Sequence, residues 1–184
     1  NALGSNTSGT NNTVVGANAL DANTTRHDNV AIGYRALTNQ SIADQNVAIG
    51  SNSMAANQTG EYNVAVGYDS LASNTTASNN TAVGTKALTA NTTGTSNTAV
   101  GTNALDAATT ANNNTALGAR ALGATTTGSQ NTAVGEDSLL TNTTGGQNVA
   151  VGRNALYANT SGDHNTAVGD LALSTNTAAA NTAV

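Results

Sequence analysis

The side chains of this chain that could bind a metal or transfer a proton are two histidines and ten acidic residues. His27 and His164 lie near opposite ends of the sequence, and neither has a second ligand at the spacing of a metal site. The acidic residues are scattered along the chain and form no evident general acid–base pair. The sequence also has no cysteine, no nucleophile motif and no phosphate-binding glycine loop. We therefore predict no catalytic residue, no metal ligand and no cofactor, and hence a protein that is not an enzyme.

The composition argues against two further classes of function. Five basic residues against ten acidic ones give a net charge of -5, which disfavours a nucleic-acid-binding groove. No apolar run approaches the length of a membrane span, so we expect no membrane contact in this segment. Phe, Trp, Pro and Cys are absent, which is unusual for an ordinary globular core.

A five-residue segment, Asn-Val/Thr-Ala-Val/Ile-Gly, recurs along the whole chain. Its copies begin every seventeen residues from Asn12 to Asn165, and only the last step, to Asn181, is one residue shorter. A fixed short period is typical of a solenoid, and the regular register of Val, Ile and Leu argues against disorder. We number repeat positions from this Asn. We predict that residues 1–184 are a single array of about ten coils, a slice of a longer fibre without its caps.

The repeat predicts an all-β fold, a parallel β-solenoid with one short strand in each coil. Positions two and four are apolar or β-branched and alternate with small residues, as in a strand with one buried face. Position nine, Leu or Met, predicts a second wall of the core. The invariant Gly at position five is suited to a sharp corner. The predicted core ladder is Val47, Ile49, Val64, Val66, Val100, Val134, Val149, Val151, Leu88, Leu105, Leu122, Leu139 and Leu156, and the predicted corner glycines are Gly33, Gly50, Gly67, Gly84, Gly101, Gly118, Gly135 and Gly152.

The alanine at position three should then face away from the core, because side chains alternate along a strand. A water-facing strand position would be expected to vary through polar residues, yet this column is Ala in every copy except Val14. We therefore predict that it packs against another chain. The predicted inter-chain residues are Ala48, Ala65, Ala82, Ala99, Ala116, Ala133, Ala150 and Ala167.

The segment 46–53, Asn-Val-Ala-Ile-Gly-Ser-Asn-Ser, resembles the head repeat of the trimeric autotransporter adhesins, the YadA-like family. The resemblance covers every repeat but only about half of each one, because the Asn-Thr-Thr-Gly part is additional. It implies a left-handed parallel β-roll, a homotrimeric fibre and an extracellular adhesive role at a cell surface. The repeats are also similar to those of phage tail fibres, so a tail fibre shaft on a virion is the alternative.

Exposed tyrosines and threonines predict two kinds of ligand-binding surface. Tyr is enriched at recognition surfaces, and a cluster within three coils could contact a host or matrix protein or a glycan. The candidate residues are Tyr34, Arg35, Glu61, Tyr62, Tyr68 and Asp69. A rank of Thr from the Asn-Thr-Thr segments could instead bind ice, although adjacent residues point to opposite sides and only one column could face outward.

Stacking of the coils makes two further predictions. Glu136, Arg153 and Asp170 should lie in consecutive coils and alternate in charge. The short step should be absorbed in the turn after Asn176, because a slip of the strand would turn its buried face outward.

Overall fold

A computed structural model describes residues 1–40 and 42–184 of the chain. Within these residues the regular secondary structure is eleven short strands. In the same part of the chain, no helix has the length and apolar character needed to cross a membrane. The strands are β1 (Thr13–Val15), β2 (Val30–Ile32), β3 (Val47–Ile49), β4 (Val64–Val66), β5 (Thr81–Val83), β6 (Thr98–Val100), β7 (Thr115–Leu117), β8 (Thr132–Val134), β9 (Val149–Val151), β10 (Thr166–Val168) and β11 (Thr182–Ala183).

The strands form one parallel sheet whose order is the order of the chain. Each strand pairs with the copies one repeat before and one repeat after it, so that Val47 lies opposite both Val30 and Val64. Each coil therefore adds one strand, at the β-ladder spacing of about 4.8 Å. The predicted parallel β-solenoid of seventeen-residue coils is confirmed.

The short step near the end of the chain leaves the sheet in register. Thr182 and Ala183 of β11 pair with Thr166 and Ala167 of β10, as in the other coils. The missing residue is absorbed in the turn, where Asn176 Nδ2 donates to a carbonyl two residues ahead instead of three. The prediction for this step is confirmed, because moving the turn costs less than exposing a buried strand face.

The alanine at position three lies on the buried face of β2 to β10, so the inner and outer faces of the strands are the opposite of those predicted. Side chains at positions two and four are partly exposed, with Ile49 at 36% and Val149 at 37%. The predicted core ladder is therefore wrong for the strands, and the predicted inter-chain column is wrong as well. The outward residues include Val47, Ile49, Val64, Val66, Val100, Val134, Val149 and Val151, whereas Ala48, Ala65, Ala82, Ala99, Ala116, Ala133, Ala150 and Ala167 are fully buried.

The leucine column explains why only alanine fits on the inner face of the strand. From Leu20 to Leu156 the side chains at position nine are fully buried, and they belong to one cluster with the alanines of positions three and eight. A side chain larger than Ala opposite this column would overpack the narrow coil. The buried leucines include Leu88, Leu105, Leu122, Leu139 and Leu156, as predicted.

Each coil bends at residues with positive φ. The predicted corner glycines, Gly33, Gly50, Gly67, Gly84, Gly101, Gly118, Gly135 and Gly152, have φ between 128° and 140°. The leucine column also lies in the left-handed region, with φ of 53° at Leu88 and 52° at Leu105. Bulky residues seldom adopt this conformation, so burial in the core overrides the local preference of these leucines.

Two columns of buried asparagines hold the turns of each coil. At position one, Asn80 Oδ1 accepts hydrogen bonds from the backbone N–H and Nδ2 of Asn97, at 2.9 and 3.2 Å. At position twelve, Asn91 Nδ2 donates to Asn74 Oδ1 at 3.1 Å. The columns meet at the Gly94 carbonyl, which accepts from Asn80 Nδ2 and Asn91 Nδ2 at 2.9 and 3.0 Å. These bonds satisfy amide groups whose burial would otherwise destabilise the coil.

Ala108 interrupts the position-twelve column and leaves a buried acceptor without a donor. Asn91 Oδ1 has no hydrogen-bond partner in the described structure, although the equivalent oxygen of Asn74 accepts from Asn91. We predict that Ala108→Asn restores this bond and raises the free energy of unfolding by about 1 kcal/mol. Urea unfolding followed by circular dichroism measures the change. Ala104→Asn, at a buried position outside the asparagine columns, should lower stability, and an unchanged or lowered stability for Ala108→Asn would contradict the prediction.

Candidate interaction surfaces

The outward side chains at positions two and four of the strands form one surface along the sheet, which we call the stripe. It extends over the whole sheet, roughly 50 Å at the β-ladder spacing. Val15, Leu117 and Val168 on the stripe are 58%, 45% and 38% exposed. The position-four side chains form a continuous apolar column from β1 to β10, and an exposed apolar column of this length typically marks an interaction site.

Two columns of residues border the stripe. The leading edge is position seventeen, immediately before each buried Asn, and the trailing edge is positions six and seven, immediately after each corner Gly. Tyr62 on the leading edge is 55% exposed, and Tyr34 and Tyr68 on the trailing edge are 52% and 50% exposed.

The candidate tyrosine patch lies on both sides of the stripe. Tyr34, Arg35, Tyr68 and Asp69 follow their strands, whereas Glu61 and Tyr62 precede β4. Arg35 is exposed, and Glu61 and Asp69 are half-buried. Asp69 Oδ1 accepts a hydrogen bond of 3.1 Å from Asn52 Nδ2 of the preceding coil. Binding of a partner by these six residues stays a prediction.

Charged residues pair between neighbouring coils. Arg153 and Asp170 are 3.1 Å apart, which agrees with the predicted alternation of charge at this position. The Asp170 carboxylate raises the pKa of the Arg153 guanidinium above its ordinary value. Arg120 and Asp137 form a second pair at 2.6 Å. The Arg153–Asp170 pair is exposed, and such a pair contributes little to stability and mainly favours one stacking register.

The two histidines differ in hydrogen bonding and in exposure. His27 Nδ1 accepts a hydrogen bond of 3.0 Å from the backbone N–H of Thr10, so its ring proton is placed on Nε2. His164 is exposed on the leading edge. Among the described residues, no three His, Cys, Asp or Glu side chains are grouped as a metal site would require.

The two threonines of the Asn-Thr-Thr segment have different roles. The first donates its hydroxyl to a carbonyl of the next coil, as Thr92 does to Thr109 at 3.1 Å. The second, such as Thr93 or Thr110, is exposed. A different rank of Thr lies on the stripe itself, where Thr81, Thr98, Thr115 and Thr132 follow one another on consecutive strands.

A shallow groove of about 430 Å³ lies along the corner that follows the trailing edge. Its lining residues are Asp137, Asn154, Tyr157, Leu171, Ser174 and Thr175. Tyr157 is 38% exposed, and its repeat position is occupied by Asp106 three coils earlier. Burial raises the pKa of the Asp106 carboxyl, an effect that backbone N–H groups of Asp106 and Ala107 and the charge of Lys86 oppose.

The stripe is the surface that sequence reasoning missed. The signal that could have revealed it is the constancy of Ala at position three, because a strand face restricted to Ala requires a bulky wall opposite it. The fold makes the chain a repeat protein of the parallel β-solenoid class. Comparison with protein-family models, with curated proteins and with solved structures finds no significant match.

Proposed function

We propose that this chain is a segment of an extracellular homotrimeric fibre, a non-catalytic structural and adhesive element that associates laterally through the stripe. The observation behind this proposal is that an apolar side chain at position four occupies the outer face of every strand from β1 to β10. An isolated array would hold this surface in water along its whole length. Its burial between copies would contribute roughly 25 cal/mol for each Å² of apolar area.

Closed rotational symmetry fits a stripe that is uniform along the array. Rotation about an axis parallel to the array lets every copy present the same surface, so that the stripe of each copy is buried to the same extent. The resemblance to trimeric autotransporter adhesins supplies the number three, the left-handed hand of the coil and the location at a cell surface. Tyr157, which lies beyond the trailing edge, would remain free to contact a host or matrix protein or a glycan.

Replacement of stripe residues by a charged residue tests the proposal. The triple variant Val83→Lys, Val100→Lys and Val134→Lys places three like charges on the stripe without altering the inner face. The matched control is Thr93→Lys, Thr110→Lys and Thr127→Lys, which changes an exposed column away from the stripe. Multi-angle light scattering should give three chains for wild type and control, and folded single chains for the stripe variant. A folded wild-type monomer would overturn the proposal.

A phage tail fibre shaft is a proposal of the same architectural kind. The resemblance of the repeats supports it equally, and the two differ in what the fibre is attached to. The full-length sequence separates them, since a membrane-anchor barrel indicates a bacterial surface fibre and a tail-attachment domain indicates a virion.

Ice binding is a second candidate function, favoured by the rank of Thr on the stripe. Thr81, Thr98, Thr115 and Thr132 face outward on four consecutive strands, each beside a Val or Leu of the same strand. A regular and weakly polar surface of this kind could order water. A monomeric array with thermal hysteresis would support ice binding, and a trimer without hysteresis would exclude it.

A further inference from the structure

Each level of the array has two chemically different edges beside the stripe. At the level of β4, Tyr62 is on the leading edge and Tyr68 is on the trailing edge, both about half exposed. At the level of β10, His164 is on the leading edge and Asp170 is on the trailing edge, and both are exposed.

We infer that the leading edge of one copy lies against the trailing edge of the next, level by level, in the parallel assembly. The inference rests on the proposed function and adds which surfaces meet. Rotation about an axis parallel to the array keeps every level at the same height and brings opposite edges together. A two-fold axis perpendicular to the array would instead reverse one copy and bring like edges together.

The residues on the two edges are complementary when the levels coincide. Asp28 on the leading edge faces Arg35 on the trailing edge, and His164 faces Asp170. The leading edge is otherwise uncharged, so no like charges meet at any level of this register. The uncharged leading-edge residues of the copies at β1 to β9 are Asn11, Gln45, Tyr62, Asn79, Ser96, Asn113, Gln130 and Gln147.

The charged trailing edge would not suit a reversed arrangement. It carries Arg35, Lys86, Arg120 and Arg153 together with the acidic residues 69, 136, 137 and 170. In a reversed pair, two trailing edges would face each other. Which charges then meet would depend on the register of the two copies, and like charges would meet in some registers. Like charges in that position oppose association, whereas a neutral leading edge accepts either sign. At the level of β4, the Tyr62 ring of one copy would meet the Tyr68 ring of the next. Aromatic pairs favour association beyond the contribution of the area that they bury.

Disulfide trapping tests the edge contact directly, because the chain has no cysteine of its own. Within one chain, residues 62 and 68 lie on opposite sides of β4, whose three residues alone span roughly 10 Å, beyond the reach of a disulfide. A chain carrying both Tyr62→Cys and Tyr68→Cys can therefore form bonds only between copies. Mild oxidation should convert it to a covalent trimer on a denaturing, non-reducing gel.

Matched variants and the size of the native assembly separate the possible outcomes. Tyr62→Cys alone and Tyr68→Cys alone should remain single chains on the gel, and Tyr62→Cys with Thr102→Cys, two coils away, should bond far more slowly. Cross-linking of either single variant would indicate like edges in contact and would overturn the inference. A native trimer without cross-links would overturn the edge contact but leave the proposed function in place. A native monomer by light scattering would overturn both.

Discussion

Gly101→Ala is expected to unfold the central coils, whereas Gly123→Ala is expected to change the stability of the array little. Gly101 has a φ of 139°, a conformation that L side chains rarely adopt. A Cβ there would lie 2.4 Å from the carbonyl oxygen of Gly118 in the next coil. This oxygen belongs to the stacked backbone, so the clash cannot be relieved by a side-chain rotation. Strain and overpacking together should lower the free energy of unfolding by at least about 3 kcal/mol.

Gly123 is a matched control because it lacks the backbone requirement. A Cβ at Gly123 would lie 2.9 Å from Cδ1 at the end of the flexible Leu140 side chain and 3.1 Å from the Arg120 carbonyl oxygen. The equivalent position holds Asp106 in the preceding coil and Leu140 in the next, so it accepts side chains. Thermal unfolding followed by circular dichroism should show a much lower midpoint for Gly101→Ala than for Gly123→Ala. Equal midpoints would contradict the assigned role of the corner glycine.

The period and the stacking of the fold follow directly from the sequence. The seventeen-residue step is constant through ten copies, which indicates that equivalent residues stack on one another. The strand register shows this stacking, because paired residues are seventeen positions apart. The corner glycine was predictable for the same reason, since one residue type fills a position that others cannot adopt. The position of the short step, in the turn after Asn176, was also predictable. A one-residue shift of the strand would turn its buried face outward, whereas a shorter turn leaves the sheet unchanged.

The direction of the strand side chains could not be derived from their alternation. Alternation defines two faces but identifies the inner one only if the outer face is polar. In this array the outer face carries Val, Ile and Thr, and the inner one carries Ala because Leu from the opposite wall fills the coil. The assumption that the larger apolar residue is buried therefore fails at positions two and four.

The conformation of the leucines and the burial of the asparagines also lay beyond sequence reasoning. Leu has no local preference for the left-handed region, so its positive φ at Leu88 arises from stacking alone. Stacked copies of one Asn can form an amide ladder, and the bonds between Asn80 and Asn97 in the position-one column have that arrangement. Its connection to the position-twelve column through the Gly94 carbonyl depends on the shape of the closed coil.

Ala116→Arg is expected to unfold each chain at every chain concentration, because Ala116 is fully buried inside its own coil. The guanidinium would have no acidic partner there, and an unpaired buried charge lowers the free energy of unfolding by about 3–5 kcal/mol. Thr110→Arg, in the exposed column away from the stripe, is the control and should unfold at nearly the wild-type midpoint. Circular dichroism over a range of chain concentrations measures both.

Leu117→Arg separates the inner face from the stripe. Leu117 is adjacent to Ala116 but points outward and is 45% exposed, so an arginine there can reach solvent when the chain is alone. This variant should remain folded in circular dichroism and give single chains in light scattering, because its charge acts only on the proposed interface. Loss of structure in Ala116→Arg and loss of assembly in Leu117→Arg would place the two adjacent side chains on opposite faces of β7. Folded single chains for Ala116→Arg would instead mean that the alanines face outward, which would contradict the orientation of every strand in the sheet.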